Sequence, residues 1–190
     1  MAYTTGALVK NYRGITGTGD DILLDSCAAR AQAIIDAYTG RTFEASTNTT
    51  RTFDAIRDVH RRTLRFDVDC ASIDTVTNGD TAVIAAANYV TSPRNAAPYY
   101  AITLLASKGL YWTYSTDPEN AISVSAKWAY STTAPAVIVQ ATLRLAAYLY
   151  SQRDTNIFET TASPELGIIT VPQALPRDVL AELAFYRRRM

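Results

Sequence analysis

Three groups of residues in this 190-residue chain stand close enough together to do chemistry. Asp20 with Asp21, and Asp67 with Asp69, are carboxylate pairs that a third ligand would turn into a divalent-metal site for hydrolysis. Asp67 and Asp69 alternate along an extended run, so they are expected on one strand face. Arg57, His60, Arg61, Arg62 and Arg65 form a basic run of the kind that contacts phosphates. Gly14, Gly17 and Gly19 precede a helix, where an anion could sit.

Each group also has a plainer reading. His60 is the single histidine, which removes Ser-His-Asp, Cys-His and multi-histidine metal sites from one chain. The aspartate pairs lack a third ligand and read as solvated. The glycines are spaced GxxGxG after a helical segment, not GxGxxG after a strand, and read as a turn. Residues 74–80 faintly resemble a calcium loop, but Val76 holds the second ligand position and Ala85 stands where the closing glutamate belongs. The basic run reads as a hairpin with an exposed charged face, because 18 Lys and Arg balance 18 Asp and Glu and no aromatic pattern is interleaved with it. No catalytic residue, metal or cofactor is expected, and the chain does not read as an enzyme.

The elements that must position these residues follow from pattern. Residues 4–15 predict a short helix with Leu8, Val9, Tyr12 and Ile15 as its apolar residues. A longer helix runs from Thr18 to Gly40, with Thr18 and Asp21 as a capping box and Gly40 as a left-handed cap. Its stripe is Leu23, Leu24, Cys27, Ala31, Ile34, Ile35 and Tyr38, and Asp25, Gln32 and Asp36 lie on the other side. From residue 41 to about 130, β-branched and aromatic residues predict antiparallel strands near 51–54, 62–66, 72–77, 88–91, 100–104 and 121–128. Residues 78–80 are the clearest hairpin turn. Pro135 launches a helix that is apolar on nearly all sides. Residues 153–175 predict a long structureless arm. Pro176 then restarts a helix, with Val179, Leu180, Leu183 and Tyr186 on one face.

The fold class is therefore α+β: a helical bundle of N-terminal, core and C-terminal helices, with an inserted antiparallel β-rich subdomain and an extended C-terminal arm. The expected division is 1–40 for the N-terminal part of the bundle, 41–130 for the β-rich insertion, 131–152 for the core helix, and 153–190 for the arm and last helix. A hydrophobic content of 48% suffices for a sizeable core. No signal-like opening is visible, the apolar stretch at 134–150 is too short to span a bilayer, and Cys27 and Cys70 read as reduced core thiols, so a soluble protein made inside the cell is expected. Tyr89, Tyr99, Tyr100, Tyr111, Tyr114, Tyr130 and Trp112 suit an interface or a core equally, while Trp128 is expected in the core.

The run from Ile34 to Phe43 (Ile-Ile-Asp-Ala-Tyr-Thr-Gly-Arg-Thr-Phe), the Lys-Trp-Ala-Tyr of residues 127–130, and the Pro135 helix together resemble the head-tail connector (adaptor) proteins of tailed bacteriophages, a family also found in gene transfer agents. The resemblance spans about Leu8 to Asp154, with Ala129 where related sequences often carry Gly. It implies a structural virion protein of the neck, assembled in the host cytoplasm. Such a protein forms a ring, a dodecamer in the particle, on the portal protein. It extends the DNA channel and offers a platform to a stopper or tail-completion protein, with DNA only passing through and no membrane involved. Carried to this chain, the resemblance implies portal docking by Arg177, Tyr186, Arg187, Arg188 and Arg189, and subunit contact by Asp25, Gln32 and Asp36. Two other readings stay open: a different neck or tail-completion protein, and a carbohydrate- or receptor-binding module with an exposed aromatic groove.

Overall fold

In chain order the elements are α1 (Gly6–Arg13), α2 (Asp21–Thr39), β1 (Thr49–Phe53), β2 (Val59–His60), β3 (Thr63–Cys70), β4 (Ser72–Thr77), β5 (Tyr89–Ser92), β6 (Tyr99–Leu104), β7 (Ile122–Lys127), α3 (Ala136–Ser151), β8 (Thr161–Ser163), β9 (Ile168–Thr170) and α4 (Arg177–Ala184). The computed structural model describes residues 2–153, 161–163, 168–170 and 175–188, and Arg189 lies outside them. The elements fall into two units, Arg41–Ala134 and the pair of segments Ala2–Gly40 and Pro135–Met190. The protein is α+β.

In the helical unit, α2 packs along α3. Leu24, Ala31 and Ile35 of α2 and Ile138, Ala141 and Leu145 of α3 are fully shielded from solvent. Each such Leu or Ile contributes about 1.5–3 kcal/mol. Thr142, equally shielded, directs its hydroxyl to the Ile138 carbonyl at 2.7 Å, so α3 carries a polar atom inside without an unmet bond. Gly40 ends α2 at φ 66°, its N–H on the Asp36 carbonyl at 2.9 Å, as its type predicts.

The start of α2 differs from the expected capping box. Asp20 is the cap residue, and no side chain caps the first turn. The carboxylates are taken by stronger, charged or hydroxyl donors instead. Asp21 bonds Lys10 Nζ at 2.7 Å, while Asp20 accepts from Tyr150 Oη at 2.7 Å and from Arg153 Nη1 at 2.6 Å. In α1, Val9 is buried but Leu8 and Tyr12 face solvent. The reason is Gly6: a Cβ there would lie 2.7 Å from the Asp25 backbone nitrogen, so α1 meets α2 through its glycine and turns its larger apolar residues outward. Within the stretch expected to be structureless, β8 and β9 pair antiparallel, Thr161 opposite Thr170.

The β unit holds two antiparallel sheets, ordered β1-β7-β4 and β2-β3-β6-β5. All six expected strands form, and β2 is an addition. The inward residues of both sheets share one core of Phe53, Leu64, Phe66, Val76, Ile102, Ile122, Val124 and Trp128 among others. Trp128 is held at 5.2 Å edge-on to Phe66, and its Nε1 donates to the Thr49 carbonyl at 2.8 Å. Residues 78–80 do reverse the chain, with Asn78 N–H on the Ala82 carbonyl at 2.9 Å, but they do not join two paired strands. The return is a single bridge, Thr77 to Val83, because β4 takes β7 as its ladder partner with Val76 opposite Val124 in the core. Entry and exit of this unit are tied together: Tyr130 N–H bonds the Thr42 carbonyl at 2.8 Å, and the Phe43 and Tyr130 rings lie 5.6 Å apart.

Candidate interaction surface

The residues named for portal docking cluster on and after α4. Val179 and Leu183 anchor this helix with no exposed surface. Arg144 of α3 reaches Glu182 at 3.2 Å and also pairs with Asp178. That leaves Arg177 on the outer side. Beyond the helix, Arg188 N–H bonds the Thr39 carbonyl at 2.9 Å, and the Arg187 guanidinium lies 5.7 Å from the centre of the Tyr38 ring. Arg187 is exposed and Tyr186 half-buried, so residues 186–188 are folded back on α2 with the Arg187 cation outward. Phe185, just before them, is 90% exposed and was not singled out from sequence. Its signal was available: it falls off the Val179, Leu183, Tyr186 stripe of the helical wheel.

Asp25, Gln32 and Asp36 are brought together, but by the chain's own N-terminal segment. Gly6 N–H donates to Asp25 Oδ1 at 2.8 Å, Tyr3 N–H to Gln32 Oε1 at 3.1 Å, and Tyr3 Oη–H to Asp36 Oδ1 at 2.8 Å. Burial pushes the Asp36 carboxyl above its ordinary range, and the Tyr3 hydroxyl pulls the other way. Sequence missed Tyr3, for a lone tyrosine near a chain start has no periodic signature.

The carboxylate pairs are separated rather than joined. Asp67 is exposed and paired with Arg51 at 2.9 Å, whereas Asp69 is buried and paired with Arg41 at 2.7 Å. They do not share a face because the β3 register slips between Arg65 and Cys70, and a bulge re-aims the residues within it. Among the described residues no three of His, Cys, Asp and Glu stand together as metal ligands. Cys27 and Cys70 are buried free thiols, and burial drives Cys70 up to about 12, which holds it as an unreactive thiol.

Both tryptophans are buried, Trp112 with its Nε1 on the Arg62 carbonyl at 2.9 Å. The tyrosines divide. Tyr89 and Tyr99 line a groove between the β4 and β5 edges with Arg94 and Asn95, while Tyr100, Tyr111 and Tyr114 are exposed. The described residues therefore place no tryptophan in an open aromatic groove. His60 is exposed on β2, and the basic run forms the β2–β3 hairpin. Gly14 closes α1 at φ 68°, as a helix cap rather than an anion cradle.

No family model matches this chain, and no curated protein matches it by sequence. Solved structures of gene transfer agent particles share its fold. One is a chain of the neck of an empty gene transfer agent particle computed with C6 symmetry, 16% identical at a TM-score of 0.62, covering 99% of this chain and 91% of that one. Another is a chain of the virion of a native gene transfer agent particle, 20% identical at a TM-score of 0.54, covering 97% of this chain and 88% of that one. No helix among the described residues is long and apolar enough to cross a membrane.

Proposed function

We propose that this chain is a structural protein of the neck of a tailed-phage-like or gene transfer agent particle: an adaptor that forms a ring, dodecameric in the particle, on the portal vertex. There it extends the DNA channel and carries the stopper or tail-completion protein. The observation that supports this most is the fold shared with a neck chain from end to end, covering 99% of one and 91% of the other. Fold alone does not assign a role. The reading gains weight from a surface that presents charge and one bare aromatic ring at the chain end while its acids are paired off with cations.

In this reading α4 and the residues after it meet the portal. Arg177, Arg187 and the exposed Phe185 make first contact, Tyr186 and Arg188 support them from the folded-back tail, and Arg189 adds a further cation. Asp25, Gln32 and Asp36 serve the subunit contact indirectly, by fixing the N-terminal segment whose outer side carries Leu8 and Tyr12. Heterologous contacts of this kind close into a ring when the rotation between copies is right.

Purified chain mixed with its cognate portal is expected to give rings in negative-stain images, and the chain cut after Asp154 is expected to lose portal capture in a pull-down. Capture by the truncated chain would overturn the docking assignment. Absence of rings with portal present would overturn the adaptor reading itself.

A further inference from the structure

The β2–β3 hairpin turns in two residues, Arg61 and Arg62, with His60 paired to Thr63 and Val59 to Leu64. Arg61 sits at φ 58°. Two-residue hairpins ordinarily place Gly, Asn or Asp at such a corner, because a Cβ is strained there. An arginine is thus held at the position where a glycine would be easier. Strain of this kind persists where the surroundings impose it, and it concentrates at sites of function.

Its neighbour is held as firmly. The Arg62 guanidinium lies over the Tyr111 ring, 4.6 Å from its centre, with Nη2 on the Tyr111 oxygen at 2.9 Å. The Arg62 carbonyl also takes the Leu104 N–H at 3.0 Å and the Trp112 Nε1–H at 2.9 Å, so the backbone at the tip is pinned to the core. Arg62 Nη1 is enclosed with no acceptor, a second cost at an adjacent position. Residues 57–65 carry four arginines and one aspartate, a local charge of +3 on a chain that is neutral overall. The nearby carboxylates are turned to the backbone: Asp54 accepts from the Ile56 and Arg57 amides, and Asp58 from the Asp54 amide. Arg61 and Arg65 are exposed and form no salt bridge among the described residues.

We infer that this hairpin tip is a contact for the phosphate backbone of duplex nucleic acid. The exposed guanidinium groups of Arg61 and Arg65 can match phosphate oxygens in pairs, and Arg62, stacked and pinned, fixes the tip that presents them. The choice of nucleic acid, rather than an acidic protein, as the polyanion rests on the neck reading above. A few such contacts on a neutral chain give weak, sequence-independent and salt-sensitive attachment, which lets DNA slide.

The test measures binding of the full chain to a short fluorescent DNA duplex by anisotropy across a salt series, with polyglutamate as competitor. Arg61→Gly is expected to weaken binding about three- to tenfold at low salt and to lower the salt slope by about 1. Its thermal midpoint is expected to hold or to rise by about 2–4 °C, since glycine relieves the corner. Arg61→Lys keeps the charge but loses the planar fork, and is expected to keep the parent's salt slope while binding between the parent and Arg61→Gly. Unchanged binding by Arg61→Gly, or no binding by the parent chain at low salt, overturns the inference. So does tighter binding of polyglutamate than of DNA, which would assign the tip to an acidic protein. Ring formation with portal is scored separately, so a failed DNA contact leaves the adaptor reading standing and the reverse holds as well.

Discussion

The N-terminal segment and the C-terminal helix are both short elements laid against the long helices of one unit, and they are held by opposite means. Residues 3–10 are tied by hydrogen bonds and one ion pair to α2, from Tyr3, Gly6 and Lys10, and by a close backbone approach that only glycine allows. α4 is held chiefly by two apolar side chains, Val179 and Leu183, with part-exposed ion pairs at Arg144. The first arrangement is geometrically exact and leaves little room for movement. The second tolerates sliding, and an apolar face released from one surface can be buried on another. Neither fastening is decorative: a helix of 8 residues does not persist alone in water.

Leu183→Ala gives the largest effect. Removing a fully buried leucine costs about 2–5 kcal/mol, which exceeds what holds so small a helix. The expected outcome is local: hydrogen exchange at α4 rises to that of an open segment, while the thermal midpoint of the β unit is unchanged. Global loss of protection would break the comparison, because it would make α4 as integral as α2.

Gly6→Ala is next, at about 1–3 kcal/mol, the usual cost of forcing an extra carbon into a filled contact. Here the expected outcome is a fall in the midpoint of the helical unit of several degrees, since α1 cannot yield without moving the Asp25 backbone. A stability equal to the parent would show that α1 is as loosely held as α4.

The same contrast explains what was legible in the sequence. Periodicity located the four helices among the described residues, and β-branched and aromatic composition between turn residues located six of the strands in the β unit. Proline and glycine marked where α2 ends and where α3 and α4 begin. Side-chain partners were not legible. Thr18 and Asp21 fit a capping box by spacing, yet Lys10 was a better partner for Asp21, and no local rule weighs a cation brought in by another helix. Asp67 and Asp69 shared a face by parity, and a bulge that parity cannot show separated them. Tyr3 fell outside any period. Phe185 could have been found, since an aromatic ring off the apolar stripe is an unexplained exposure.

Arg144→Gln tests the weaker half of the C-terminal fastening. Part-exposed ion pairs contribute about 0.2–1 kcal/mol each and are screened by salt. The expected outcome is a small rise in α4 exchange at low ionic strength that vanishes at high ionic strength. A rise independent of salt would point to packing by the arginine stem instead.

The smallest effect is a pH trend of opposite sign at the two ends of α2. Burial raises the Asp36 carboxyl, so its ionised form is disfavoured in the fold: its contribution is fully present below the ordinary value of 3.8 and is lost as pH rises through the higher folded value. Asp20 is lowered, first by the Tyr150 hydroxyl and then by Arg153, so its contribution is present above 3.8 and is lost as pH falls through the lower folded value. Thermal midpoints of the parent, Asp36→Asn and Asp20→Asn over an acid-to-neutral series separate the two. Relative to Asp36→Asn the parent is expected to lose ground as pH rises above 3.8, and relative to Asp20→Asn to lose ground as pH falls below it. If both differences moved in the same direction, the N-terminal fastening would be an ordinary exposed charge contact, and its distinction from the α4 ion pairs would disappear.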